Sequence, residues 1–365
     1  MKRRGARGSL LRASLPVAAA FLLFLGLALR LGASDGYHYY RAIGVGHLFA
    51  DPSLLLPGQE QQKLPGLGFD GQFYFYIAQD PFLRNPLTAP ALDNSLRYRR
   101  ILYPLLAWAL SLGQRAWLPY LLVGINVAAC TAVVGAAATA ARRAGRSAWL
   151  ALAVAVFPGV WVSLLHDLTE PLQLALASWG VLLESAGLLL LSALAKETTA
   201  IVQLSEAVRS LAARRWSPAL RNLAGLAVLA VWSLAVMRFV HAHAGNLAAD
   251  FLTPPWAPVT ALIEGLSNPA LYFFLVPALG ICVLSLVRLA WTRDRFALGA
   301  AAYSAVGLLA GITTWQDPLA EYRNTALAGV LVFMSWMGAR DRLGFVVVVL
   351  MLFAGALALG AVATS

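Results

Sequence analysis

Charge is what this sequence has least of. Aspartate, glutamate, lysine and arginine make up 12% of its 365 residues, about half of what a soluble domain carries. With hydrophobic residues at 60%, that shortage excludes a soluble globular domain. Cysteine is nearly absent, and Cys130 and Cys282 both lie inside apolar runs, so no disulfide framework is implied. The alternating strands of about ten residues that a membrane barrel needs are missing, as are internal repeats and low-complexity segments. What remains is a series of long continuous apolar runs, the pattern of a polytopic α-helical membrane protein.

The net charge of +11 raises the question of a nucleic-acid partner, and its distribution answers it. The cations sit in short clusters between apolar runs: MKRRGARGSLLR at the start, ARRAGR ending at Arg146, RSLAARRWSPALR from Arg209 to Arg221, RLAWTRDR from Arg288 to Arg295, and ARDR ending at Arg342. Such clusters mark cytoplasmic loops. No basic face interleaved with aromatics is there to hold a nucleic acid. The basic start also resembles a signal peptide, with RLGAS as a small-residue cleavage site. Arg30 interrupts the approach to it, and the first helix is read as an uncleaved signal-anchor.

The runs predict an order of crossings. Leu15–Leu31 leads out, and residues 35 to 115 form a long outer region. Ala116–Ala140 returns, Trp149–Leu165 goes out, and HDLTEP turns. Leu172–Leu183 descends, Ser185–Ala195 rises, KETT turns, and Ala200–Ala212 descends. Leu223–Val240 leads out to a loop ending near Pro269, followed by Ala270–Leu289, Phe296–Ile312, Thr325–Met337 and Phe345–Val362. This makes about eleven crossings, N-terminus cytoplasmic and C-terminus outside. Every basic cluster then falls inside. Asp35, Asp51, Glu60, Asp70, Asp80, Asp93, Asp167, Glu170, Asp250, Glu264, Asp317 and Glu321 fall outside, which points to an extracytoplasmic working face.

The segments between Leu172 and Ala212 are short. About 13 residues span about 20 Å, against a hydrocarbon core of about 30 Å. Such half-depth helices are tolerated where they line an enclosed cavity. In the outer region, DGYHYYRAIGVGHLFADP predicts a short amphipathic helix ending near Asp51, and DGQFYFYIAQDP a second one stopped by Pro81. RYRRILYPLLAWALSLG predicts an interfacial or re-entrant helix with Tyr and Trp at headgroup level.

The acids have bland and chemical readings side by side. Asp70 and Asp35 each precede Gly at an expected helix start, where aspartate caps free amides; either is also placed to act as a general base. In HDLTEP, Thr169 and Pro171 open a helix. His166, Asp167 and Glu170 are alternatively substrate or metal ligands, though their spacing is generic. Asp35, His166 and Asp167 are the candidates for a divalent ion, magnesium or manganese, which stays open. Lys196 and Glu197 interrupt an apolar stretch. They form either a structural ion pair or a cavity site in which Lys196 neutralises a phosphate. Arg323 in EYRN, and the RYRR run from Arg97 to Arg100, either snorkel to headgroups or bind phosphate. His241 and His243 are read as interfacial.

FDGQFYFYIAQDP resembles the W-D-x-x-x-F-x-x-I-A pattern of the second GPI-anchor mannosyltransferase and its bacterial relatives, within the GT-C superfamily of membrane glycosyltransferases. RRILYPLLAW is similar to that family's aromatic-Pro-Leu continuation, LTEPLQLAL to its helix-opening turn, and LAKETT stands where a short basic motif falls. The resemblance covers roughly the first 210 residues. Phe69 replaces the family's tryptophan, Gln72 and Phe73 stand where His-Phe is common, and the acidic pair of some relatives is absent.

The resemblance implies a GT-C-like all-α bundle of about eleven transmembrane helices, forming one domain over residues 1–365 with the 35–115 loop outside. It implies an inverting transfer of a sugar, mannose by family, from a polyprenyl-phosphate donor to a lipid or glycan acceptor. Asp70 is then the first base candidate and Asp35 the second. Arg323, Lys196 and Arg99 stabilise the departing phosphate, and Tyr74, Tyr76 and Tyr37 stack on sugar or isoprenoid. Two alternatives stand beside it. A flippase or transporter of polyprenyl-linked lipid would use the same cations, but the paired repeats of many transporters are missing. A non-catalytic scaffold would leave the segregated acids unexplained.

Overall fold

The computed structural model describes residues 2–241, 260, 263, 269–309, 318–339 and 343–364. Helix α1 (Lys2–Ala33) is followed by a long connection holding α2 (Tyr40–Ile43), α3 (Gly71–Gln79), α4 (Leu96–Arg99) and α5 (Leu102–Ser111). Next come α6 (Leu118–Arg143), α7 (Leu152–Val156), α8 (Pro158–Trp161), α9 (Glu170–Leu183), α10 (Ala186–Ala195), α11 (Ala200–Ala212) and α12 (Trp216–Phe239). Among the described residues there follow α13 (Pro269–Thr292), α14 (Arg295–Leu308), α15 (Pro318–Ala339) and α16 (Leu343–Thr364). No strand occurs among the described residues. Isolated bridges, Val45 to Gly68 and Gly46 to Leu64, fold the first connection onto itself.

Among the described residues, four helical stretches are long and apolar enough to cross a membrane: Ser14–Ala33, Arg115–Arg143, Trp216–Phe239 and Leu275–Thr292. Between them α9, α10 and α11 have 14, 10 and 13 residues, too short for a core of about 30 Å at about 1.5 Å per residue.

Helix α6 is the inner wall. Its run of alanines, with Ala136, Ala137, Ala138, Ala140 and Ala141 buried, lets neighbouring backbones approach closely. Thr131 and Thr139 return their hydroxyls to the carbonyls of Val127 and Gly135 at 2.8 Å, so neither leaves a polar group bare in an apolar helix. Against α6 pack α1, α5, α9 and α15, and α15 also meets α8, α13, α14 and α16.

Two sequence expectations change. Trp149–Leu165 is not one helix: it breaks into 3-10 turns and two short helices, α7 and α8, separated at Phe157, with Pro158 opening α8. Proline lacks the amide that would continue the ladder and disfavours helix in the residue before it. The stretch from Tyr37 to Asp51 holds only the four-residue α2 and a 3-10 turn at His47–Phe49. Gly44 stops α2 with φ +63°, and Gly46 lies so near Leu67 that an added Cβ would sit 2.2 Å from its carbonyl carbon. The FYFYIA helix does form and does end before Pro81. Of the expected outer loop after residue 241, His243, Asp250 and Glu264 lie outside the described residues, as do Asp317 and the Arg340–Arg342 cluster.

Candidate functional site

The short helices bring eight charged groups together, six of them in one chain of contacts with the Arg100–Glu197 pair beside it. Asp70 opens α3, yet its side chain makes no capping bond. Its Oδ2 instead lies 2.6 Å from Arg97 Nη1 on α4. Arg97 also donates to both oxygens of Asp93, at 2.8 Å from Nη2 to Oδ2 and 3.0 Å from Nε to Oδ1. One helical turn on, Arg100 grips Glu197 with Nη2–Oε1 at 2.8 Å and Nε–Oε2 at 2.9 Å, and donates to the Tyr74 hydroxyl at 3.0 Å. Lys196 Nζ is 2.9 Å from Glu170 Oε1 and 3.3 Å from Asn324 Oδ1. Arg323 stands between the two halves, 3.9 Å from Asp70 Oδ2 and 3.4 Å from Glu170 Oε1.

Packing fixes this geometry. Gly71 lies against the turn before α9, where an added Cβ would sit 2.5 Å from the His166 carbonyl oxygen. The His166 ring lies 4.2 Å from that of Phe69. Trp232 of α12 donates to the Arg99 carbonyl at 3.0 Å and stacks on Tyr98, and Tyr98 donates to the Pro81 carbonyl. The Lys196 turn is tied from below: Gln173 Nε2 donates to Thr198 and Thr199 at 3.0 Å and to Tyr303 at 3.3 Å.

Burial alone would push the Asp70 carboxyl up, but Arg97, Arg323 and Arg100 outweigh it and hold the group below its ordinary 3.8. Its side chain keeps 29% exposure.

A second acidic spot lies beside it. Asp167 is fully buried, in left-handed backbone with φ +49°, and neither carboxylate oxygen has a hydrogen-bond partner. Burial first, and then the charge of Asp35, pushes its carboxyl well up. Asp35 Oδ2 accepts from the Arg41 amide at 3.1 Å, a capping contact to α2, while its Oδ1 has no partner. Among the described residues no three His, Cys, Asp or Glu side chains gather as a metal centre.

Of the residues singled out from sequence, Asp70, Glu170, Lys196, Glu197, Arg323 and Tyr74 come together. Asp35 and Asp167 form the neighbouring spot, and His166 packs on Phe69. The capping expectation for Asp70 gives way to its pairing with Arg97, and Arg99 stays out of the ion pairs, with its Nε unpartnered. Arg97 and Arg100 enter instead, because a four-residue helix turns positions 97 and 100 toward the acids. The i, i+4 pairing of Asp93 with Arg97 was the available signal. Asn324 carried none. Tyr74 and Tyr76 are buried, Tyr37 is exposed, and Tyr76 donates to the Phe49 carbonyl at 3.1 Å.

The opposite end of α9 is basic. Arg143 and Arg295 donate to the Leu182 and Val181 carbonyls at 3.0 and 3.1 Å, satisfying the open end of the helix. Arg215 and Arg209 reach Glu184 at 2.9 and 3.6 Å. Three of the basic clusters read from sequence thus converge at one place, across α9 from Glu170.

No protein-family model, curated protein or solved structure matches the chain. The fold and composition define an all-helical membrane protein with a dense charge network at the ends of its short helices.

Proposed function

We propose that the chain is an integral-membrane glycosyltransferase of GT-C type, with about eleven crossings and its acidic face extracytoplasmic. It moves a sugar from a polyprenyl-phosphate donor to a hydroxyl of a lipid or glycan acceptor, and mannose is the sugar its resemblance favours. The observation that carries this reading is the contact chain Arg97–Asp70–Arg323–Glu170–Lys196, in which cations and acids alternate, with the Arg100–Glu197 pair beside it. Charged groups buried this deeply in an apolar protein are costly and mark functional sites. Acids and cations together suit a reaction that takes up a proton at one end and releases a phosphate at the other.

Asp70 accepts the proton of the acceptor hydroxyl. The acceptor oxygen bonds to the anomeric carbon as the bond from that carbon to the phosphate oxygen breaks in line, inverting the configuration. The lipid phosphate leaves with the electron pair, and the nearby cations stabilise its charge. Arginine neighbours make Asp70 a weak base, which suffices when the sugar carries most of the positive charge before the proton moves.

Purified protein in nanodiscs, given polyprenyl-phosphate sugars and a panel of acceptors, tests the reading with wild type beside Asp70→Asn and Asp35→Asn. Transfer by wild type that is lost in Asp70→Asn supports it. Transfer that survives both substitutions removes these two bases, and lipid crossing without donor consumption selects the transporter alternative.

A further inference from the structure

Three of the four cations are committed to close partners. Arg97 and Arg100 each hold a carboxylate with two bonds, and Lys196 holds Glu170 and Asn324. Arg323 is different. It sits at 3.9 and 3.4 Å from its two carboxylates, its Nε has no hydrogen-bond partner, and its side chain keeps 21% exposure. It is held by charge without a close hydrogen bond, in a part of the protein where its fork of donors goes unused. An anion entering the site therefore displaces little by taking Arg323. Taking Arg97, Arg100 or Lys196 would strand a carboxylate without its counter-charge, a far larger cost.

Resting on the donor reading above, we propose that Arg323 is the cation among these four that turns onto the phosphate of an isoprenyl-phosphate ligand, leaving Asp70 and Glu170, while Arg97, Arg100 and Lys196 stay as the frame. A guanidinium matches a phosphate with two parallel bonds, which neither present contact provides. The exchange also couples donor to base. Arg323 is one of the charges that keep the Asp70 carboxyl low. When it swings to a phosphate, Asp70 loses that cation and gains a nearby anion, so it becomes a better proton acceptor only when a donor is present.

Isothermal titration of a short-chain isoprenyl phosphate into the full chain, in zwitterionic nanodiscs, tests this with wild type beside Arg323→Gln and Arg323→Lys. Arg323→Gln weakens binding about tenfold or more, with an unligand-shifted melting temperature because no close pair is broken. Arg323→Lys keeps the charge without the fork and falls between; it carries the test alone if the glutamine variant does not fold. Equal affinity of wild type and both variants overturns the role of Arg323 and leaves the donor reading standing. A wild type that does not bind overturns both. Inorganic phosphate, titrated in parallel, binds at least tenfold more weakly than the isoprenyl phosphate; equal affinity for the two identifies a free-anion site and overturns the link to the donor.

Discussion

Lys196 Nζ lies 2.9 Å from Glu170 Oε1, joining two residues 26 positions apart, and both side chains are at most 5% exposed. The contact ties the turn after α10 to the first turn of α9. Removing Lys196 leaves the buried Glu170 carboxylate with only the looser Arg323 contact at 3.4 Å. Lys196→Met should therefore cost about 3 kcal/mol of stability or more, read as a fall in melting temperature in detergent. Lys196→Met combined with Glu170→Leu should recover most of that loss, and a double variant no better than the single would show that the pair is not coupled.

Gly71 makes a geometric prediction. A methyl there meets the His166 carbonyl at 2.5 Å, and backbone cannot yield as a side chain can. Gly71→Ala should cost about 1–3 kcal/mol and move Asp70 away from Arg97. An unchanged melting temperature would mean that α3 and the turn before α9 are not in contact.

The Tyr303 hydroxyl lies 3.2 Å from Thr198 Oγ1 and 3.3 Å from Gln173 Nε2, but Gln173 keeps two other acceptors. Tyr303→Phe should cost only about 1 kcal/mol. Gln173→Leu removes the hub of the same network and should cost more, a ranking that thermal melts of the two variants check.

The two aspartates should answer to pH in opposite senses. The Asp70 carboxyl is lowered in the folded chain, so its stabilisation is present above its ordinary 3.8 and is lost as pH falls through the lower folded value. Asp70→Asn should flatten the loss of stability on acidification below about pH 4. The Asp167 carboxyl is raised, so it stabilises nothing at neutral pH; it destabilises increasingly as pH climbs above 3.8 toward the folded value. Asp167→Asn should raise the melting temperature at pH 7 and have no effect near pH 3. Melts of both variants across that range measure the signs.

Much of the helical layout was legible because apolar runs report helices directly. Ala200–Ala212 was read to the residue, and α3 ends before Pro81 as its sequence says. The Trp149–Leu165 run misled because hydropathy does not register a break, even though Pro158 was in view. The first connection misled because Gly44, Gly46 and Gly68 serve a fold in which the chain crosses itself, a long-range fact. Within the site, the acids and Lys196 stood out against an apolar background. Choosing among Arg97, Arg99 and Arg100 needed the phase of a four-residue helix, which no periodicity over so short a span can fix. Asn324 was invisible because its role comes only from facing Lys196 from α15.

In the proposed reaction Asp70 takes a proton while a phosphate-linked sugar is consumed. Mass spectrometry of a polyprenyl-phosphate sugar incubated with acceptor and protein in nanodiscs measures it most directly. Wild type should convert the donor to free polyprenyl phosphate, and Asp70→Asn should do so at least about a hundredfold more slowly. Full-rate conversion by Asp70→Asn would contradict it.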